Sequence, residues 1–190
     1  MQVAVIYGSV RRDRLGIRAA KFLISQLQQR GHSVELIDPM DYPLPLLDLR
    51  YWEYEDGDAP EAMRQVARIL DGADAYVVVS GEYNAAIPPA LKNMLDHYLK
   101  EFNRKTVGLV TYSAGSFAGV RVVPILRQVF ANFSAMTMPA TLPISFIGKS
   151  FAADGSVTDD AYLSRTEKFL DEFEWYAGAL NAARKIANSS

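Results

Sequence analysis

The sequence predicts an α/β fold, a five-stranded parallel sheet with helices on both faces. Three observations predict it. Short β-branched apolar runs alternate with amphipathic helical stripes along the chain. The runs are continuous, as strands covered on both faces require. The chain has 190 residues, 49% hydrophobic and 22% charged, which suits one folded domain rather than a disordered segment. A chain of this length buries roughly 70% of the surface its unfolded form exposes, so it needs no covalent staple.

The first strand is read at Val3-Ala4-Val5-Ile6. Ile17, Ala20, Ile24 and Leu27 then fall on one helical stripe, which Gly31 stops. Ser33-Val34-Glu35-Leu36-Ile37 is the second strand. Met63, Val66, Ile69 and Leu70 make the second helix, with Pro60 placed for its first turn. Ala75-Tyr76-Val77-Val78-Val79 is the third strand. Leu91, Met94, Leu95 and Tyr98 follow Pro88-Pro89 as the third helix. Thr106-Val107-Gly108-Leu109-Val110 is the fourth strand, and Val123, Leu126, Val129, Phe130 and Phe133 mark the fourth helix. A weaker apolar run from Ala135 to Leu142 gives the fifth strand. A long last helix runs from Asp159 to Arg184, and Ser189 and Ser190 read as a frayed end. Strict alternation of strand and helix makes the doubly wound order 2-1-3-4-5 the economical topology. Residues 41–58 are the one long irregular piece. With Pro43, Pro45, Tyr51, Trp52 and Tyr54, this piece reads either as a surface excursion or as a lid or subunit contact.

Counting removes several chemistries. There is no cysteine, so disulfides, thiolate metal sites and thiol nucleophiles are absent. The two histidines, His32 and His97, match no metal-ligand spacing. No G-x-S-x-G elbow is present. A formal charge of -2 disfavours a broad nucleic-acid face. The opening residues do not read as a secretory signal, and no apolar run approaches the roughly 20 residues a membrane span needs. The expectation is a cytoplasmic protein with no membrane partner.

In a doubly wound sheet, ligands bind beyond the carboxyl ends of the strands. Three loops lie there. Gly8-Ser9-Val10-Arg11-Arg12-Asp13-Arg14-Leu15-Gly16 joins the first strand to its helix. It offers helix-start N–H groups, a hydroxyl and arginines to an anion, or it is an exposed basic turn. It is neither a Walker A loop nor G-x-G-x-x-G. Gly81-Glu82-Tyr83-Asn84-Ala85-Ala86-Ile87-Pro88-Pro89 follows the third strand. It presents N–H groups and an aromatic face to a flat ligand, or it is a proline-stiffened turn braced by the Asn84 side chain. Ser113-Ala114-Gly115-Ser116-Phe117-Ala118-Gly119 follows the fourth strand. Its small residues let a ring lie against the main chain, or Ser113 or Ser116 merely caps the fourth helix. One crevice with a phosphate end and a planar-ring end suits a mononucleotide.

These loops carry a resemblance. Gly8-Ser9-x-Arg11 with Arg14-Leu15-Gly16, then Glu82-Tyr83-Asn84-x-x-Ile87-Pro88-x-x-Leu91-Lys92-Asn93-x-x-Asp96, then Ser113-x-Gly115-x-x-x-Gly119 occur in order. The sequence thereby resembles the NAD(P)H-dependent FMN reductase family, which includes quinone, azo-dye and chromate reductases. It departs from many members at Gly81, where they have proline. Arg14-Leu15-Gly16 replaces Ser-x-Asn, and Ala118-Gly119 replaces two glycines.

The resemblance implies a flavodoxin-like three-layer sandwich, with residues 1–190 forming a single FMN-binding domain. FMN would be bound and NAD(P)H would be the electron donor. Ser9, Arg11, Arg14, Leu15, Gly16 and Ile17 would surround the phosphate. Glu82, Tyr83, Asn84 and Ala85 would line the ribityl chain and ring, and Ser113 and Gly115 would meet the pyrimidine edge. Lys92, Asn93 and Asp96 would fix their helix. The implied activity is ping-pong reduction of a small acceptor (a quinone, azo compound, metal oxyanion or free flavin) with no catalytic side chain and no metal. A homodimer or homotetramer is implied as well. Two other readings stand beside it: a non-enzymatic electron carrier, and a binding module without flavin.

Overall fold

The computed structural model describes residues 1–188. Ser189 and Ser190, expected to fray, lie outside the described residues. The strands are β1 (Gln2–Tyr7), β2 (Ser33–Ile37), β3 (Ala75–Gly81), β4 (Thr106–Tyr112) and β5 (Met136–Ile144). They form one parallel sheet in the order 2-1-3-4-5, as the alternation predicts. The helices are α1 (Ile17–Gln29), α2 (Glu61–Gly72), α3 (Pro89–Asp96), α4 (Val122–Asn132), α5 (Ile147–Ser150) and α6 (Ala161–Asn188).

Side chains along a strand alternate between faces, so each strand feeds two cores. Ala4, Ile6, Tyr76, Val78, Val107 and Leu109 pack under α2, α3 and α4 with Met63, Leu91 and Phe130. Val3, Val5, Tyr7, Val77, Val79, Val110 and Tyr112 pack under α1 and α6 with Leu23, Phe169 and Phe173. Every residue of β3 and β4 is buried, which explains their unbroken apolar runs. Burial of whole side chains of this size stabilises by about 2 kcal/mol each before chain entropy is counted.

Three elements differ from expectation. Helix α3 ends at Asp96 and releases Tyr98, whose hydroxyl donates to the Met63 carbonyl at 3.0 Å. Helix α4 starts at Val122, so neither Ser113 nor Ser116 caps it. The Ser113 hydroxyl bonds the Gly115 carbonyl instead, and Ala118 and Gly119, at φ 54 and 69, interrupt any earlier helix. The single turn α5 has no apolar stripe to announce it.

Strand β5 reaches Ile144 and carries a bulge opposite Gly108. There the Arg127 guanidinium donates to the Met138 and Pro139 carbonyls, while Glu172 accepts the Ala140 N–H at 3.2 Å. Residues 41–58 are fastened to α3 and the segment after it, and the Arg64 guanidinium of α2 donates to the Gly57 carbonyl at 2.6 Å. The Asn93 side chain donates to the Pro45 carbonyl at 2.7 Å and accepts from the Leu47 N–H at 3.0 Å. The Tyr51 N–H bonds the His97 carbonyl at 2.9 Å, and its ring lies 6.0 Å from that of Tyr98. Lys92 and Asp96 form an ion pair on the same helix. No helix among the described residues is long and apolar enough to cross a membrane.

Candidate active site

Two tyrosines end their strands at the carboxyl rim. Tyr7 closes β1 and Tyr112 closes β4, and both face the α1 side. Their rings stack at 6.4 Å, and the Tyr112 hydroxyl donates to that of Tyr7 at 3.3 Å. Burial raises both phenols above their ordinary value, Tyr112 the more strongly, so they remain protonated donors at working pH. The Tyr112 ring lies in a slot made by glycines. A β-carbon on Gly16 would sit 2.0 Å from the ring, and one on Gly81 would sit 3.1 Å from it. Close ring-to-backbone contact therefore fixes glycine at the start of α1.

The loop after β1 folds around this pair. Ser9 is buried, and its hydroxyl shares a 2.8 Å hydrogen bond with the Tyr83 hydroxyl. The Arg11 N–H donates to the same Ser9 oxygen at 3.3 Å, leaving the Arg11 side chain exposed. Arg14 lies over the Tyr7 ring at 5.3 Å and donates to the Ser9 carbonyl at 3.0 Å. It also pairs with Asp38, which is buried at the end of β2. Burial works to lower the Arg14 pKa, but the Asp38 carboxylate outweighs it, and the guanidinium stays charged. Leu15 is half-buried, Gly16 precedes the helix, and Ile17 opens it with its N–H bonded to the Arg14 carbonyl at 3.2 Å.

The loop after β3 makes a two-residue hairpin. Tyr83 and Ala86 exchange both backbone hydrogen bonds, at 3.1 and 3.0 Å, with Asn84 at φ 51 and Ala85 at φ 63 between them. Two consecutive left-handed residues define a type I′ turn, which Asn tolerates and Ala does not favour. Asn84 and Ala85 are exposed at its tip. Glu82 points to the third loop, where its carboxylate accepts the Arg121 N–H at 3.2 Å and pairs with the Arg121 guanidinium at 3.1 Å. An acidic side chain thereby caps α4 from another loop. In the third loop, the Ser113 N–H bonds the Ile144 carbonyl at 3.1 Å, and Gly115 is exposed.

Ser9, Arg11, Asp13, Arg14, Leu15, Tyr83, Tyr112, Ala114 and Ile147 enclose a cleft of about 250 Å³. Five of the residues singled out in the sequence thus share one wall: Ser9, Arg11, Arg14, Leu15 and Tyr83. Gly16, Ile17, Glu82, Asn84, Ala85, Ser113 and Gly115 lie in the same three loops but do not line this cleft. Among the described residues, no backbone carbonyl accepts from the N–H groups of residues 12–16 or 114–119. Unmatched donors around a cleft suit an anion and the carbonyl edge of a ring. The sequence reading missed Tyr7, Asp38, Tyr112 and Arg121. Tyr7 and Tyr112 carried a signal, since each immediately precedes a candidate loop.

The comparisons with known proteins agree with this geometry. The model of the family described as NADPH-dependent FMN reductase matches residues 1–149. An NAD(P)H-dependent FMN reductase of Schizosaccharomyces pombe is 32% identical over 181 residues, covering 90% of this chain and 88% of the relative. A quinone reductase of Pseudomonas putida is 27% identical, covering 90% and 91%. Among solved structures, the flavoenzyme NAD(P)H:(acceptor) oxidoreductase FerB of Paracoccus denitrificans superposes with a TM-score of 0.76. It shares 25% identity and covers 94% of this chain and 97% of its own. A flavodoxin of Pseudomonas aeruginosa, 14% identical with a TM-score of 0.58, shows the fold alone. The chain belongs to the NADPH-dependent FMN reductase family, and is an oxidoreductase that works with FMN and NAD(P)H.

Proposed function

We propose that the chain, as a single domain, holds FMN in the cleft at the carboxyl rim and reduces a small acceptor there by a ping-pong scheme. The observation that carries this is the convergence of three loops on one cleft, two of them with unmatched N–H groups, lined by Ser9, Tyr83 and Tyr112. The donor set fits the cofactor. Ser9, the Arg11 side chain, Leu15, Gly16 and Ile17 would take the phosphate. Arg14 would join them with the guanidinium nitrogens that Asp38 and Ser9 do not use. Tyr83, Asn84 and Ala85 would line the ribityl chain and ring, and Ser113 and Gly115 the pyrimidine edge. Glu82 would serve this face by holding the third loop through Arg121.

FMN held by these residues would supply the two-electron chemistry that joins NAD(P)H oxidation to reduction of an acceptor. The protein's part is to orient the partners and to present fixed N–H dipoles where charge accumulates. No side chain is assigned as acid or base. The acceptor is a quinone, azo compound, metal oxyanion or free flavin. The quinone reductases and the NADPH azoreductase of a Bacillus species among the relatives support a small organic molecule. The proposal places the enzyme in the cytoplasm as a homodimer or homotetramer, without nucleic-acid or membrane partners. An absorbance spectrum of the purified protein, followed by anaerobic titration with NADPH and NADH, tests the reading. A bound flavin bleached by at least one donor is expected. A flavin that neither donor bleaches favours an electron carrier, and a protein that stays colourless with added FMN ends the proposal.

A further inference from the structure

Two phenylalanines face solvent in the segments that follow β4 and β5 at the carboxyl rim. Phe117 is 65% exposed and Phe146 is 47% exposed. Their segments are tied together, because the Phe146 N–H donates to the Gly115 carbonyl and the Ser145 hydroxyl to the Ser116 carbonyl, both at 3.0 Å. Ala114, in the same loop as Phe117, and Ile147, next to Phe146, line the cleft itself. Phe146 sits at φ 46, a left-handed conformation that costs free energy in any residue with a β-carbon. Core packing does not offset that cost, because the ring is half in water.

Each ring also has a cation above it. The Arg121 guanidinium lies 5.0 Å from the Phe117 centroid, and the Lys149 ammonium lies 5.9 Å from that of Phe146. Glu82 partly neutralises Arg121. Among the described residues, no carboxylate pairs with Lys149. Exposed ring faces stack on flat aromatic molecules, and an unpaired ammonium beside them attracts an anionic substituent. The geometry points to the Phe117–Arg121 and Phe146–Lys149 pairs as a rim that selects planar aromatic anions, an inference that rests on the reductase reading above. Two ligands share that chemistry. One is an acceptor whose rings carry a sulfonate or carboxylate, and the other is the adenosine 2′-phosphate end of NADPH.

The test titrates the oxidised holoprotein by calorimetry. One arm uses anthraquinone-2-sulfonate against uncharged 2-hydroxymethylanthraquinone, and the other uses NADP⁺ against NAD⁺. The wild-type protein binds the more anionic member of at least one pair more tightly. Lys149→Gln cuts that preference by about fivefold, and Phe117→Ala and Phe146→Ala weaken both members of the pair by about threefold to tenfold. The arm in which the preference falls identifies the source. Equal losses for charged and uncharged ligands in both arms overturn the inference, as does retention of wild-type affinities in the phenylalanine variants. A changed sedimentation coefficient with unchanged affinities assigns the rings to contact between copies and also overturns it. Loss of flavin with affinity ratios intact does the same by assigning the rings to the flavin. Failure of either nicotinamide to reduce the wild-type flavin sinks the reductase reading separately, while the binding ratios still report on the rim.

Discussion

At the amino ends of the strands, side chains reach out to backbone carbonyls. Arg184 donates to the Arg104 and Asp74 carbonyls at 2.8 Å each, and Lys105 to those of Leu70 and Asp71 at 2.7 and 3.0 Å. The Tyr76 hydroxyl joins Lys105 on the Leu70 carbonyl at 2.7 Å. Around His32 and Arg30, Glu174 and Asp171 of α6 tie the end of α1 to the last helix. At the carboxyl ends the arrangement is reversed. Among the described residues, no protein acceptor meets the N–H groups of residues 12–16 and 114–119, whereas left-handed non-glycine backbone occurs at both rims, at Asn84, Ala85, Ala118 and Phe146 here and at Arg104 and Ser134 opposite. One rim directs charged side chains to backbone carbonyls and so contributes stability. The other keeps donors free, which is how a rim that grips an anionic ligand is built.

The largest expected effect breaks this division at the ligand rim. Gly16→Ala drives a methyl into the Tyr112 ring, which costs about 2 kcal/mol of stability. It also lowers FMN affinity more than about tenfold, as flavin fluorescence quenching would show. Combining it with Tyr112→Ala should recover part of the stability loss, since contacting sites do not add. Full additivity would show that the slot does not act as described. Next comes the opposite rim. Arg184→Ala leaves two carbonyls without their charged donor and should cost about 2 kcal/mol in urea unfolding, with FMN affinity unaltered. A parallel loss of affinity would mean that the two rims are coupled.

Lys105 sharpens the comparison through pH. Burial pulls its ammonium down to about 8. From there up to the ordinary lysine value of about 10.4, the unfolded chain binds more protons than the folded one, so this group makes stability climb with pH. Urea midpoints at pH 7.5 and 9.5 should therefore diverge more in the wild type than in Lys105→Met. Equal divergence would remove Lys105 as the cause. The smallest effect is a gain. Ala85→Gly relieves a left-handed alanine and should add about 1 kcal/mol, measured as a raised melting temperature.

Much of the fold was legible because β3 and β4 are buried on both faces, and a run such as Ala75–Val79 has no other economical reading. The weaker run at β5 reflects its bulge, where Pro139 interrupts the pairing and Arg127 and Glu172 repair it from neighbouring helices. No local pattern encodes such a repair. Within the site, the three loops were legible from Gly, Arg, Asn and Ser at strand ends. The division of labour was not. That Arg14 turns to Asp38, and Glu82 to Arg121, depends on residues 24 and 39 positions away, and a linear reading has no access to which partner wins. Tyr112 in its glycine slot is the same problem, since Gly16 and Gly81 look like turn residues until the ring between them is seen.

The edges of the sheet carry one more consequence. Strand β5 ends one side of the sheet, and Pro139 and Pro143 give it two positions with no N–H to offer. Its bulge further spoils the register that an incoming chain would have to match. Strand β2 on the far side is only five residues long and carries Glu35 in the middle. Neither flank is a good template for the growth of intermolecular β-structure, so the sheet is guarded against amyloid-like assembly even when its helices loosen.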